Sequence, residues 1–174
     1  MKLFMVVVGG DCKTSNVELH DVRFCVAGRI EDCYGELHRQ WWGEPESLHL
    51  DGYAELTQAD GFDIRLEPGA AALSDPRLYF VNLGGYISGF FGEAHENLLI
   101  VAATAKAAVA KAMARVQGWQ QPHKDNVFQF DKALDVSAQL ERLGLKLVLR
   151  EAGETRSLDI SLGYVPIGHL APKK

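Results

Sequence analysis

The sequence predicts an α+β protein, built by internal duplication of a strand-strand-helix-strand-strand unit, with mixed sheets and the helices on one face of them. Three observations lead there. Laid against itself, the chain aligns Leu3 to Ala27 with Leu78 to Ala102 without a gap. Short apolar runs closed by glycines alternate with one amphipathic and one alanine-rich stretch. The 174 residues, 47% hydrophobic and 24% charged, have the balance of an ordinary globular protein.

The duplication rests on identities at matched positions: Leu3 and Leu78, Val6 and Val81, Gly9 and Gly84, Gly10 and Gly85, Glu18 and Glu93, His20 and His95, Val26 and Val101, Ala27 and Ala102. The register returns after a short shift, where Leu48-His49-Leu50-Asp51 meets Phe128-Gln129-Phe130-Asp131. Farther on, Gly61 to Leu66 resembles Gly144 to Leu149. These matches place a first repeat at 1–67, a proline- and alanine-rich linker at 68–76, a second repeat at 77–163 and a C-terminal tail at 164–174.

Each element has a local reason. Leu3 to Val8 and Leu78 to Leu83 are apolar runs that end in Gly-Gly, as buried strands do. Val22 to Ala27 and Leu98 to Ala103 carry the β-branched and aromatic side chains that suit a second strand. Ile30, Cys33 or Tyr34, Leu37 and Trp41 recur at helical spacing. Thr104 to Gln117 contains six alanines, with Thr104 as the cap; Gly43 and Gly118 mark the two helix ends. If the second and third strands are parallel neighbours, the helix between them is a right-handed crossover. Gly144 to Arg150 and Leu158 to Leu162 read as a closing hairpin around Glu151 to Glu154.

Composition narrows the function. A net charge of −5, from 18 basic and 23 acidic residues, argues against a large phosphate-binding surface, so no nucleic-acid partner is expected. No apolar run approaches the ~20 residues of a membrane helix, and Leu3 to Val8 is shorter than a secretory segment. The expectation is a soluble, cytoplasmic protein, a homo-oligomer with a small-molecule or protein partner. Cys12, Cys25 and Cys33 have no CxxC spacing, which fits a reducing compartment. Their counterparts in the second half are Ile87, Ile100 and Ala108, so Cys25 and Cys33 read as small buried hydrophobes, leaving Cys12 for a thiol reagent.

The recurrent run of an apolar strand, Gly-Gly, a spacer and then Glu-x-His-[Asp/Glu] resembles a bacterial family of unknown function, number 1543. The resemblance implies a domain present in one or two copies, here two in tandem. It brings no established activity and no catalytic residues.

The candidate ligand-binding residues are Glu18, His20, Glu93 and His95 with the glycines Gly9, Gly10, Gly84 and Gly85. Residues two apart on a strand share a face, so each Glu and His can converge on one ligand. Two such pairs would supply two imidazoles and two carboxylates, a set suited to a divalent Fe, Mn, Ni or Zn ion. The bland alternative is a local Glu–His pair that pins the strand start. The glycine pairs are not phosphate loops, because a strand rather than a helix follows them. Tyr86, Phe90 and Phe91 lie in a glycine-rich loop that suits a lid or contact surface. Trp41 reads as packing, Trp42 and Trp119 as interface residues, and His38, His49, His123 and His169 as surface residues. No nucleophile, oriented base or established cofactor motif is evident, so a non-catalytic binding or interaction module between pseudo-symmetric repeats leads, with a metal-dependent enzyme as its competitor.

Overall fold

A computed structural model describes residues 1–72, 75–115, 133–154 and 156–170, and the backbone alone of 121–123. Trp119, Gly118, the Phe128 to Asp131 match and parts of the expected linker and tail lie outside the described residues. The chain divides into two units, Met1–Thr57 with Arg156–Lys174, and Gln58–Thr155. Its alternation of strands with a few short helices is that of an α+β protein.

In the first unit β1 (Lys2–Gly10) pairs antiparallel with β2 (Leu19–Ala27), from Lys2 opposite Ala27 to Gly10 opposite Leu19. A 3-10 turn over Ile30–Cys33 runs into α1 (Tyr34–Gln40), and β3 (His49–Glu55) follows. The last strand, β11 (Ile160–Pro166), gives the order β11-β3-β1-β2. β2 and β3 are therefore parallel but not neighbours, a correction to the expected adjacent pair. β1 is apolar on both faces, with Leu3 2% and Val6 0% exposed, and takes the central position that buries both. Every described strand pair is antiparallel, so the parallel neighbours of a mixed sheet are absent among the described strands.

The helical face carries this unit's core. Phe4, Val6 and Val8 of β1 pack with Cys25, Ile30, Cys33, Leu37, Trp41, Leu48, Leu50 and Ile167. Ile30, Cys33, Leu37 and Trp41 are the positions that the sequence periodicity selected, and each is buried. Tyr164 to Pro166, expected in a tail, completes β11, and Ile167 behind it is buried, its N–H donating to the Leu48 carbonyl at 2.9 Å.

In the second unit β4 (Gln58–Ala59) and β5 (Phe62–Pro68) form a tight hairpin. Asp60 and Gly61 turn it, with φ of 52° and 81°. Two positive φ values at an Asp-Gly pair are what a twisted two-residue hairpin requires. β6 (Arg77–Tyr86) pairs with β7 (Ala94–Ala102), with β8 (Gln121–His123) and with the short β9 (Leu134–Asp135). The helix α2 (Ala105–Met113) starts where expected: the Thr104 side chain accepts the Ala107 N–H at 3.2 Å. Ala108 and Ala112 are fully buried against Tyr79, Val81, Leu83 and Ile100, a fit open to a methyl group but not to a larger side chain. α3 (Val136–Glu141), absent from the sequence reading, is capped by Asp135, and its Ser137 hydroxyl accepts the Leu78 N–H at 3.0 Å.

β10 (Leu145–Glu151) pairs with β5, whereas β11 pairs with β3. The expected closing hairpin is thus two strands with separate partners. Alternating Leu145, Leu147 and Leu149 on β10 stand opposite Pro68, Leu66 and Ile64 on β5, an apolar match along the whole pair.

Candidate functional site

Gly9 is the centre of the site. Across β1 it stands opposite His20 on β2 and opposite His49 on β3, and side chains of directly opposed residues share a face. The two rings therefore rise on either side of a glycine, their centroids 6.4 Å apart. A Cβ at Gly9 would come within 2.7 Å of His49 Nε2, 2.8 Å of His20 Cδ2 and 3.0 Å of an Asp51 carboxylate oxygen. Only the residue without a side chain leaves that space open.

Two irregularities bring in further groups. The β1–β3 register slips between Val7 and Val8, so Asp51 is the extra residue on β3. Opposite it on β11 the register slips again, leaving Gly163 and Tyr164 between Leu162 and Val165. Such bulges re-aim side chains. The Asp51 carboxylate lies 3.2 Å from His20 Nε2 and 3.4 Å from His49 Nε2, and the Tyr164 ring covers the His49 ring at 4.4 Å. Glu18, just ahead of β2, reaches both imidazoles, at 3.4 Å from His20 Nε2 and 3.6 Å from His49 Nε2.

His49 is 2% exposed, which overturns its expected surface position. Its Nδ1 lies 2.9 Å from the Ser47 carbonyl, which can only accept, so Nδ1 donates there and Nε2 is the ring nitrogen turned to the two carboxylates. That Nε2 is buried without a hydrogen-bond partner. Ser47 is fixed in turn: its hydroxyl donates to the Glu44 carbonyl at 2.8 Å and accepts the Asp11 N–H at 2.8 Å. Gly10 faces this supporting layer, since a Cβ there would come within 2.8 Å of Ser47 Oγ and 2.9 Å of the Trp41 ring.

Of the residues selected from sequence, Glu18, His20 and Gly9 meet here, and His49 and Asp51 join them. Glu18, His20 and His49 each offer a ligand atom within 4.8 Å of the others. The missed signal was His49-Leu50-Asp51 itself, two polar side chains at the strand period. The remaining candidates lie on β6 and β7, where Gly84 pairs with His95. There Glu93 stands 3.6 Å from His95 Nε2, and a Cβ on Gly84 would collide with the Glu93 carboxylate. Gly85 pairs with Ala94 beside them.

The other candidates separate. Cys25 and Cys33 are buried, and the Cys25 thiol is held far above its ordinary value by its hydrogen bond with Cys33 and by burial. A thiol kept protonated is no nucleophile. Trp41 is buried, with its indole N–H donating to the Glu44 carbonyl at 3.1 Å, while Trp42 is 53% exposed and stacks on it. Tyr86, Phe90 and Phe91 are exposed. Among the described residues no helix is long and apolar enough to cross a membrane.

No curated protein matches the chain. It is similar to a solved structure, the crystal structure of a protein Il1583 from Idiomarina loihiensis, at 29% sequence identity and a TM-score of 0.67, covering 95% of this chain and 97% of that one. Residues 15–66, the stretch that carries Glu18, His20, His49 and Asp51, match a family described as Domain of Unknown Function (DUF1543).

Proposed function

We propose that the first unit binds a divalent transition-metal ion through Glu18, His20 and His49, with Asp51 as a fourth donor. The observation that carries this reading is the buried His49 Nε2, without a hydrogen-bond partner and facing two carboxylates. A nitrogen lone pair set against anionic oxygens is repelled unless a proton or a metal ion lies between them.

The spacings favour a metal over a hydrogen-bond network. Charge-assisted N–H···O bonds are ~2.7 to 2.9 Å long. The four Nε2-to-carboxylate distances here run from 3.2 to 3.6 Å. Ligands bound at ~2.0 to 2.2 Å in a tetrahedral arrangement stand ~3.4 Å apart. Ser47 supplies the outer hydrogen bond that fixes the tautomer of a ligating histidine. Two imidazoles with carboxylates suit Zn, Fe, Mn or Ni rather than a thiolate-seeking ion.

A non-catalytic metal-binding module is the leading reading. The second is a metal-dependent enzyme, favoured by the exposure of Glu18 and His20, 49% and 47%, which leaves one side of the ion open to a small molecule.

The chain is further read as a tandem duplication. The β1–β2 pair has its counterpart in β6–β7, with Lys2 opposite Ala27 matching Arg77 opposite Ala102, and Gly10 opposite Leu19 matching Gly85 opposite Ala94. β5 and β10, the matched final strands, pair about Arg65 opposite Val148, so that Ile64 with Leu149 mirrors Leu66 with Leu147.

The test is metal analysis of protein purified without a histidine tag, together with calorimetric titration of Zn(II). At least one equivalent is expected, and His49→Ala should lose one. Unchanged stoichiometry and affinity in His49→Ala would overturn the reading.

A further inference from the structure

Ser47 holds the His49 imidazole at one atom, Nδ1, and a single hydrogen bond leaves a ring free to swing about it. The last strand closes that freedom. In the sheet β3 lies between β1 and β11, so His49 has Gly9 on one side and residues 164–166 on the other. Pro166 is paired with His49, and the Tyr164 ring lies over the imidazole, with centroids 4.4 Å apart and planes inclined at 34°. An imidazole covered in this way cannot turn without displacing the ring above it.

Exposure separates the two partners. His49 is 2% exposed, whereas Tyr164 is 67% exposed and belongs to no described core. What Tyr164 covers is therefore the histidine rather than the apolar interior.

The residues after β11 anchor this arrangement. The Ile167 and Gly168 N–H groups both donate to the Leu48 carbonyl, at 2.9 and 2.8 Å. A Cβ on Gly168 would come within 2.6 Å of the Pro45 carbonyl oxygen, so glycine is what lets the chain close on the 3-10 turn Pro45–Ser47. That turn carries the carbonyl to which His49 Nδ1 donates. The end of the chain thus bears on His49 twice, through its ring and through the turn ahead of it.

We propose that Tyr164 is a positioning residue of the metal site, its ring holding the His49 imidazole in the plane that turns Nε2 toward the ion. Ile167 and Gly168 lock its strand to the turn before His49. The cover also keeps water from the face of this ligand, while Glu18 and His20, 49% and 47% exposed, leave their own flank open. This rests on the metal reading of the first unit and adds to it a residue that ligates nothing.

The experiment titrates Co(II) alone into untagged full-length protein, reading affinity by calorimetry and ligand geometry by ligand-field absorption. Wild type, Tyr164→Ala, Tyr164→Phe and Leu162→Ala are compared, with melting curves alongside. Leu162, two residues earlier on the same strand and 83% exposed, is the control. Tyr164→Ala should bind Co(II) about tenfold or more weakly, with a shifted absorption band, and melt close to wild type as an exposed position does. Tyr164→Phe keeps the ring and should restore wild-type affinity and spectrum, and Leu162→Ala should leave both unchanged. Wild-type affinity and spectrum in Tyr164→Ala overturn the proposal and leave the metal reading standing. An equal loss in Tyr164→Phe or Leu162→Ala also overturns it, since the ring face is then not what acts. A weaker affinity that comes with a large fall in melting temperature and an unshifted band assigns Tyr164 to the fold alone and overturns it too. No binding in wild type overturns both readings.

Discussion

His20 and His49 lie far apart along the chain, yet both stand directly opposite Gly9, one on each flanking strand. The crossover through α1 carries the chain past β1, so the second histidine arrives on the far side of the glycine. Local sequence sets up the Glu18–His20 pair, and the crossover completes it.

Gly9→Ala should disable the site with modest harm to the fold. The added methyl would meet both imidazoles and Asp51 at 2.7 to 3.0 Å, so the ligands must separate. We expect Zn(II) affinity to fall at least tenfold and stability by ~1 to 3 kcal/mol, the usual cost of overpacking. Gly153→Ala, where a Cβ meets nothing within 4 Å, is the control. Titration and denaturant unfolding read the two effects.

Metal affinity should fall with acidity, because histidine and carboxylate must lose protons to ligate. Between pH 7.5 and 5.5 the apparent Zn(II) affinity should drop more than tenfold, with proton release that scales with buffer ionisation enthalpy. A flat profile across that range would speak against imidazole ligands.

Asp60 links the second unit's hairpin to its helix. Its side chain, 2% exposed, accepts from Lys111 Nζ at 2.6 Å, from the Val101 N–H at 2.7 Å and from Arg115. Burial pushes its carboxyl upward, but Lys111, the Val101 amide and Arg115 outweigh that and hold it below its ordinary value. A depressed folded value contributes stability that is present above the unfolded value, ~3.9, and lost as pH falls through the folded one. Asn also tolerates the left-handed turn, so Asp60→Asn isolates the charge. It should cost ~1 to 3 kcal/mol at neutral pH, with the difference from wild type closing below pH 4 in urea melts.

The final strand and the residue that follows it differ in burial. Ile167 is 1% exposed and Leu162 83%. Ile167→Ala should destabilise by ~2 to 5 kcal/mol and Leu162→Ala by less than ~0.5 kcal/mol. Equal losses by thermal melting would mean that residues beyond β11 are not docked.

Thiol labelling checks the cysteines. Cys12 is half-buried, while Cys25 and Cys33 lie in the core. A chromogenic thiol reagent should modify one group in native protein and three in denaturant.

The sequence by itself determined what is periodic and local. The apolar runs before Gly-Gly became β1 and β6, Ile30, Cys33, Leu37 and Trp41 became a buried helical face, Thr104 became a cap, and Glu18 with His20 became a contacting pair. Each follows from backbone periodicity or a short-range hydrogen bond, which neighbouring residues fix. Tertiary structure alone decided that β1 lies between β2 and β3, that β10 joins β5 while β11 joins β3, and that His49 and Asp51 enter the site. Strand partners are chosen between distant parts of the chain, by matching apolar faces and leaving no backbone group unpaired. The bulge that turns Asp51 inward exists only once those partners meet, so no local pattern could announce it.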